Sequence, residues 1–352
     1  MEYRMAGKTD LMLPVLGLGC WAFGGGDYWG ESHPEQEKKL VRTAVDLGVT
    51  YFDTAELYYG GISETALGRA LKGISRDRIV IGSKLLPSNT GELRTIRHCE
   101  ASLRRIGTYY LDLYMIHWPI NTRSIQTFTD DPDRLADPPD VEGTISGLLK
   151  LQEEGKIRHI GVSNFGTGWL KAFERYEVPV AVNQVAYNVL SRAAEYELLP
   201  FCRNAGTGII GYSALLQGIL TGKYSSLDDI PAQYCRTRHF HYKRSPDTRH
   251  RGSGCEPLLV STLDQLRALS GELGTELADL CLRWALYRKD VTCVLAGTRD
   301  PDKLASNVRG IQEPLSREIH DRINGISRPL MDAMGPGLDL YESASRDRTV
   351  YP

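Results

Sequence analysis

No run of about 18 or more apolar residues occurs in the sequence, and its opening, MEYRMAGKTD, is polar. A membrane-spanning helix and an exported leader are therefore not expected. Paired cysteines are also missing. Cys20, Cys99, Cys202, Cys235, Cys255, Cys281 and Cys293 are scattered, odd in number and without a CxxC, which argues against a disulfide framework or zinc knuckle and for free thiols in a reducing cytoplasm. There is no excess of positive charge: the formal net charge is -2 over 352 residues. Nucleic-acid binding, which calls for clustered basic surface, is set aside. Nor is there an early GxGxxG. Gly17, Gly19, Gly24, Gly25 and Gly26 lack the spacing of a dinucleotide fold's phosphate turn, so a cofactor would have to bind another way. Internal repeats and low-complexity tracts are absent too.

What the sequence does have is a recurring alternation. PVLGLGCW, VTYFDT, RIVIGSK, LDLYMIHW, KIRHIGVSN, VPVAVNQ, TGIIGYS and VTCVLAG are short apolar runs without strict polar alternation, as expected of strands buried on both faces of a parallel sheet. Helical spacing lies between them, at 34–47 with Pro34 near its start and Gly48 as a stop, at 142–154 and at 275–288. Eight alternations predict an α/β protein with a closed (β/α)8 TIM barrel in a single domain, 1–352; an open doubly wound sheet is the alternative. Residues 1–13 read as an N-terminal β-hairpin turning near Gly7 and Lys8 and plugging the lower end. Long loops are expected on the C-terminal face, at 119–140 and at 221–255, the second rich in arginine and lysine. Residues 328–352 read as a C-terminal extension.

Barrel active sites collect at the C-terminal ends of strands, so the polar residues there carry the chemistry. Asp53 ends YFD, Tyr58 follows in the loop, Lys84 ends VIGSK and His117 ends LYMIH. Carbonyl reduction needs a proton donor at the oxygen, and a phenol with a reference pKa of ~10 needs help. An ammonium at Lys84 would stabilise the Tyr58 phenolate, Asp53 would hold that ammonium, and His117 would orient the carbonyl. Taken singly, each residue has a plainer reading, as helix cap, solvated charge, packed ring or structural histidine. Their joint occurrence at three consecutive strand ends favours the chemical one.

The sequence also resembles the aldo-keto reductase family from Gly17 to about Gly310. The resemblance rests on LGLGCWAFGG, YFDTAELYYGGISETALG with its D-T-A-x-x-Y and S-E-x-x-L-G, VIGSK, LDLYMIHWP, EEGKIRHIGVSNF and NQVAYN in order. It implies that Asp53, Tyr58, Lys84 and His117 form the catalytic tetrad, with Tyr58 the general acid in reduction and base in oxidation. It implies cofactor contacts from Gly19, Trp21, Asp53, Tyr58 and His117, from Ser163, Asn164 and Gln184 at the nicotinamide carboxamide, and from Tyr212 against the ring. Ser213, Leu215, Gln217, Gly218, Leu220, Gly222 and Lys223 would line the pyrophosphate. In AGTRDPDKLASN, Gly297, Thr298, Arg299, Lys303 and Asn307 would meet the adenosine 2′-phosphate, which favours NADP(H) with NAD(H) as the alternative. Lys303 and Ser306 depart from the family's usual Gln and acid.

Trp21, Tyr28, Trp29 and Trp118, with Tyr58 and His117, are expected to line the substrate pocket. The GGGDYWGE segment is similar to members acting in inositol and sugar metabolism, which suggests a sugar-like or cyclic-polyol carbonyl or alcohol. The partner is thus a small molecule, with a homo-oligomer allowed. Loop 221–255 admits three readings: a clasp over the cofactor phosphates, a solvated mobile loop, or a zinc site from Cys235, His239, His241, His250 and Cys255. Two other functions compete. One is a cofactor-binding module resembling the β subunits of voltage-gated potassium channels. The other is a metal-dependent hydrolase, disfavoured because the strand ends offer only His117 as an imidazole ligand.

Overall fold

A computed structural model describes residues 1–351. β1 (Tyr3–Met5) and β2 (Met12–Pro14) pair antiparallel as the expected hairpin. The remaining strands are β3 (Leu16–Gly19), β4 (Tyr51–Asp53), β5 (Val80–Leu85), β6 (Leu111–Ile116), β7 (Ile157–Ser163), β8 (Val180–Ala186), β9 (Gly208–Tyr212) and β10 (Val291–Ala296). They close into a parallel barrel in the order β10-β3-β4-β5-β6-β7-β8-β9, the (β/α)8 architecture rather than the open sheet. Helices form at Pro34–Asp46, Val141–Glu153 and Leu277–Tyr287, within two residues of the spans read from spacing. Pro34 occupies the first turn, where a missing N–H costs nothing, and Asp140 caps the second helix by accepting from the Gly143 amide.

Side chains alternate across each strand, which fixes what fills the barrel. Tyr51 points inward and takes up space that two neighbouring strands surrender. A Cβ on Gly17 would lie 2.7 Å from the Tyr51 ring, and one on Gly82 would lie 2.6 Å from its hydroxyl. With Leu113, Met115, Val182, Ile210, Cys293 and Leu295, Tyr51 makes an inner core, and Ala6, Leu11 and Leu13 of the hairpin close it from below. A larger apolar layer, including Phe52, Tyr114, Ile160 and Trp284, joins the outer strand faces to the helices.

The two long loops are more structured than expected. Residues 119–140 contain helices at Thr122–Phe128 and Pro132–Ala136. Loop 221–255 is tied down: Arg238 donates to the carbonyls of Met334, Gly337 and Asp339, and Arg244 pairs with Glu256 at 2.7 Å and Asp228 at 2.8 Å. The buried His239 ring bonds Leu190 O at 2.9 Å and Thr237 Oγ1 at 2.9 Å. That leaves it no free nitrogen for a metal, and no cluster of three or more His, Cys, Asp or Glu suited to one occurs among the described residues. The final helix, Arg317–Met334, continues through Pro329, because Ile323, Leu330, Met331 and Met334 bury its apolar face. The extension therefore begins at Gly335, later than the 328 expected, and it lies against the barrel: Thr349 O accepts from Gly166 N and Val350 O from Trp169 Nε1. No helix among the described residues is long and apolar enough to cross a membrane.

Candidate active site

Period-two alternation carries the inward face of the barrel up to its mouth. Asp53 stands two residues above Tyr51, Lys84 two above Gly82, and His117 two above Met115, so all three side chains converge over the inner core. Tyr58 enters from the turn after β4, whose following residues, Tyr59 and Gly60, take left-handed backbone at φ 50° and 60°. Lys84 is fully buried. Its Nζ donates to Asp53 Oδ1 at 2.6 Å, to Thr54 O at 2.8 Å and to Tyr58 Oη at 3.3 Å. Asp53 Oδ2 accepts from Tyr51 Oη at 2.9 Å and from Gln184 Nε2 at 2.7 Å, so both members of the Asp53–Lys84 pair are satisfied inside the barrel. The His117 ring stands edge-on to Tyr58, with centroids 5.7 Å apart, and its buried Nδ1 has no hydrogen-bond partner among the described residues.

Burial governs the protonation states. It pushes the Tyr58 phenol well above the usual range, with Asp53 adding to the effect, so Tyr58 is protonated at neutral pH. Desolvation comes first in that shift and the Asp53 carboxylate second, while the Lys84 ammonium expected to stabilise the phenolate stands 3.3 Å from the hydroxyl. Burial lowers Lys84 as well, but Asp53 opposes the shift. His117 lies well below the usual imidazole value through burial first, then the charges of Lys84 and Arg348, and is neutral.

Above this group opens a cavity of about 890 Å³. Of the residues expected to meet a cofactor, Gly19, Trp21, Asp53, Tyr58, His117, Ser163, Asn164, Gln184, Tyr212, Ser213, Leu215, Gln217, Gly218, Lys223, Gly297, Thr298, Arg299, Lys303 and Asn307 line it. Leu220 and Gly222 do not: Leu220 is buried in the core, and Gly222 turns the chain at φ 77°. At the inner end Tyr212 Oη donates to Asn164 Oδ1 at 2.9 Å, and Asn164 Nδ2 donates to His117 O at 3.1 Å. At the other end Arg299 donates to Glu31 O at 2.6 Å, beside an adjoining pocket of about 370 Å³ that shares Thr298, Arg299 and Lys303.

Of the expected substrate residues, Trp21, Trp29 and Trp118 line the cavity, but Tyr28 does not. It stacks behind Trp21 at 5.0 Å and donates its hydroxyl to Gln233 O, which turns its polar tip away. Sequence reasoning missed Tyr341 and Arg348, which the C-terminal extension carries into the cavity, and Tyr234, Arg236 and Arg249 from loop 221–255 join them there.

The profile described as the Aldo/keto reductase family matches residues 15–328. The chain is 30% identical to an NADH-specific methylglyoxal reductase of Escherichia coli (strain K12), over 88% of this chain and 93% of that protein. It is 31% identical, over 93% of each, to a proposed voltage-gated potassium channel subunit beta of Schizosaccharomyces pombe. A crystal structure of an aldo-keto reductase from Klebsiella pneumoniae in complex with NADPH superposes with a TM-score of 0.68, at 26% identity and covering 100% of both chains.

Proposed function

The chain belongs to the aldo/keto reductase family, and from that premise we propose that it interconverts a carbonyl and an alcohol with NADP(H), Tyr58 acting as general acid and base. The observation that carries the reading is the buried relay Asp53–Lys84–Tyr58, which ends at the cavity beside a neutral His117.

The cavity suits a dinucleotide in shape and in chemistry. Gly19 and Gly297 face each other, and a Cβ on either would meet no atom nearer than 3.9 Å. Glycine at these positions therefore keeps space open rather than avoiding a clash. Lys223, Arg299 and Lys303 supply cations at the end away from Tyr58, and an arginine fork beside a lysine favours the extra phosphate of NADP(H) over NAD(H). Ser163, Asn164 and Gln184 would hold the carboxamide, and Tyr212 would lie against the ring. When bound, the cofactor supplies the hydride.

The protein's own part is proton management. In reduction, the neutral His117 donates a hydrogen bond to the carbonyl oxygen, which orients it. Tyr58 Oη gives that oxygen its proton as charge develops. The phenolate left behind is stabilised by the Lys84 ammonium at 3.3 Å, and Asp53 favours the charged form of Lys84 against the burial that opposes it. In oxidation the same atoms run in reverse. The cavity walls Trp21, Trp29 and Trp118 suit the apolar faces of a sugar-like or cyclic-polyol substrate, and the buried, unpartnered Trp29 Nε1 offers a donor to a hydroxyl.

Titration with NADPH and with NADH, followed by quenching of tryptophan fluorescence, tests the cofactor. Tyr58→Phe tests the chemistry. It is expected to leave NADPH affinity within twofold and to cut turnover of an aldehyde panel by about 10²–10⁴, the usual contribution of a positioned acid. Turnover within tenfold of the parent would remove Tyr58 from the role.

A further inference from the structure

The D-T-A-x-x-Y motif holds a carboxylate that the proton relay does not use. Glu56 stands between Asp53 and Tyr58, is buried, and does not line the cavity. Its side chain ends instead among three donors. Oε1 accepts from Leu86 N at 2.7 Å and from Asn89 Nδ2 at 2.9 Å, and Oε2 meets His98 Nδ1 at 2.6 Å. All three belong to the chain that follows Lys84: Leu86 and Asn89 lie just after β5, and His98 lies on the helix Glu92–Ile106. Asn89 is itself braced, because Arg134 donates to its Oδ1 and to Ser88 O.

Packing alone does not call for this arrangement. A buried carboxylate is costly unless its lone pairs are filled, and a neutral side chain would occupy the same space. What the carboxylate does is join two units of the barrel. Tyr58 belongs to the turn after β4 and Lys84 to β5, and the 3.3 Å between Tyr58 Oη and Lys84 Nζ is the longest of the three bonds Lys84 makes. That contact is the one most exposed to a shift of either loop. The backbone bond from Glu56 N to Lys84 O, at 3.5 Å, is too long to hold the two loops by itself.

The turn has little stiffness of its own. Tyr58 N donates to Ala55 O at 3.1 Å, and Tyr59, Gly60 and Gly61 then follow in left-handed backbone at φ 50°, 60° and 89°. A non-glycine residue such as Tyr59 stays in that region only where its surroundings over-determine it. Behind Tyr58 in the chain the constraint is the Tyr59 side chain, whose hydroxyl accepts from Tyr28 N at 3.2 Å and whose ring packs so tightly on Gly26 that a Cβ there would clash. Ahead of Tyr58 the constraint is Glu56.

We propose that Glu56 is a positioning residue for the reaction: its carboxylate locks the turn that carries Tyr58 to the segment that follows Lys84, and so fixes the phenol against the ammonium. The inference rests on reading Tyr58 as the general acid and base. It acts through hydrogen bonds, so glutamine can stand in for it. The amide oxygen would keep the bonds from Leu86 N and Asn89 Nδ2, and the amide nitrogen would donate to His98 Nδ1 in the tautomer that leaves this nitrogen free.

The test compares Glu56→Leu and Glu56→Gln with the parent through two readouts. The first is kcat on an aldehyde, per NADPH-binding site and below the melting temperature of each protein. The second is the 19F spectrum of protein carrying 3-fluorotyrosine at position 58. Glu56→Leu is expected to lower kcat by about tenfold to a hundredfold, as misplacing a catalytic group by about an ångström does, with KM and the NADPH dissociation constant within about twofold. Its fluorine resonance is expected to broaden or split, while Glu56→Gln keeps one sharp resonance and most of kcat. Should Glu56→Leu fail to fold, the double variant Asn89→Ala/His98→Ala, which strips two of the three donors and leaves the carboxylate, is expected to show the same two changes. An undiminished kcat per site, a single unshifted resonance, or a Glu56→Gln protein as impaired as Glu56→Leu would overturn the proposal. A resonance that broadens in Glu56→Leu when the parent turns over no aldehyde would overturn the catalytic reading and leave Glu56 as the residue that holds the turn.

Discussion

Replacing Lys84 with methionine separates the structural from the chemical role of the buried relay. Methionine is close to the lysine stem in length and fills the same fully buried slot, so packing is nearly conserved. What is lost is the charge and three donated bonds, at 2.6, 2.8 and 3.3 Å. Removing one member of a buried ion pair typically costs about 3–5 kcal/mol, because the other charge is left uncompensated. Asp53 would not be wholly abandoned: Tyr51 Oη and Gln184 Nε2 still donate to its second oxygen. The cost should thus lie near the lower bound, about 3 kcal/mol. For a chain of this size that corresponds to a fall in Tm of roughly 4 °C. The rate should suffer more, since Tyr58, already held protonated by burial, would lose the cation that stabilises its phenolate; a loss of about 10²–10⁴ in kcat is expected. Scanning calorimetry and steady-state assays on one preparation would measure both. A Tm within 2 °C of the parent together with kcat within about tenfold would refute the ion-pair account.

Two further outcomes follow from the same geometry. Arg299→Ala should raise the dissociation constant for NADPH by about tenfold or more while changing that for NADH by less than about threefold, a charged hydrogen bond being worth ~1.5–3 kcal/mol; equal changes in fluorescence titrations would move Arg299 away from the 2′-phosphate. His239, lowered to about 4 by burial, should make folding pH-dependent. Between that value and an unfolded pKa of about 6.5, the unfolded chain binds the extra proton, so stability is highest above this window and falls as pH drops through it, by up to roughly 3 kcal/mol. Urea midpoints measured from pH 7.5 down to 4.5 should decline more steeply in the parent than in His239→Asn, and parallel declines would assign the pH dependence elsewhere.

Why the reaction is legible in this sequence while the substrate is not comes down to what fixes each side chain's direction. Asp53, Lys84 and His117 sit on strands, where period two settles the facing once one inward residue is known, and the strand order sets which ends are neighbours. Tyr58 is only five residues from Asp53, so a short turn delivers it. The outer wall has no such rule. Tyr28 was read as facing substrate, yet a bond to Gln233, over two hundred residues away in the chain, turns its tip aside. Arg236 and Arg249 were visible as basic residues in a long loop, but their direction follows from the anchoring of that loop by Arg238 on three carbonyls of the C-terminal segment. Arg348 and Tyr341 lie beyond the last helix, in a stretch with no periodicity to read. Their position depends on the Asp339–Arg348 pair and on Arg348 O accepting from Asn121. The one local trace of that structure was an acid and an arginine nine residues apart, and at that spacing nothing distinguishes a buried pair from two solvated charges. Strand periodicity therefore brings Asp53, Lys84 and His117 together, and tertiary anchoring of the loop and tail shapes the outer wall of the cavity above them.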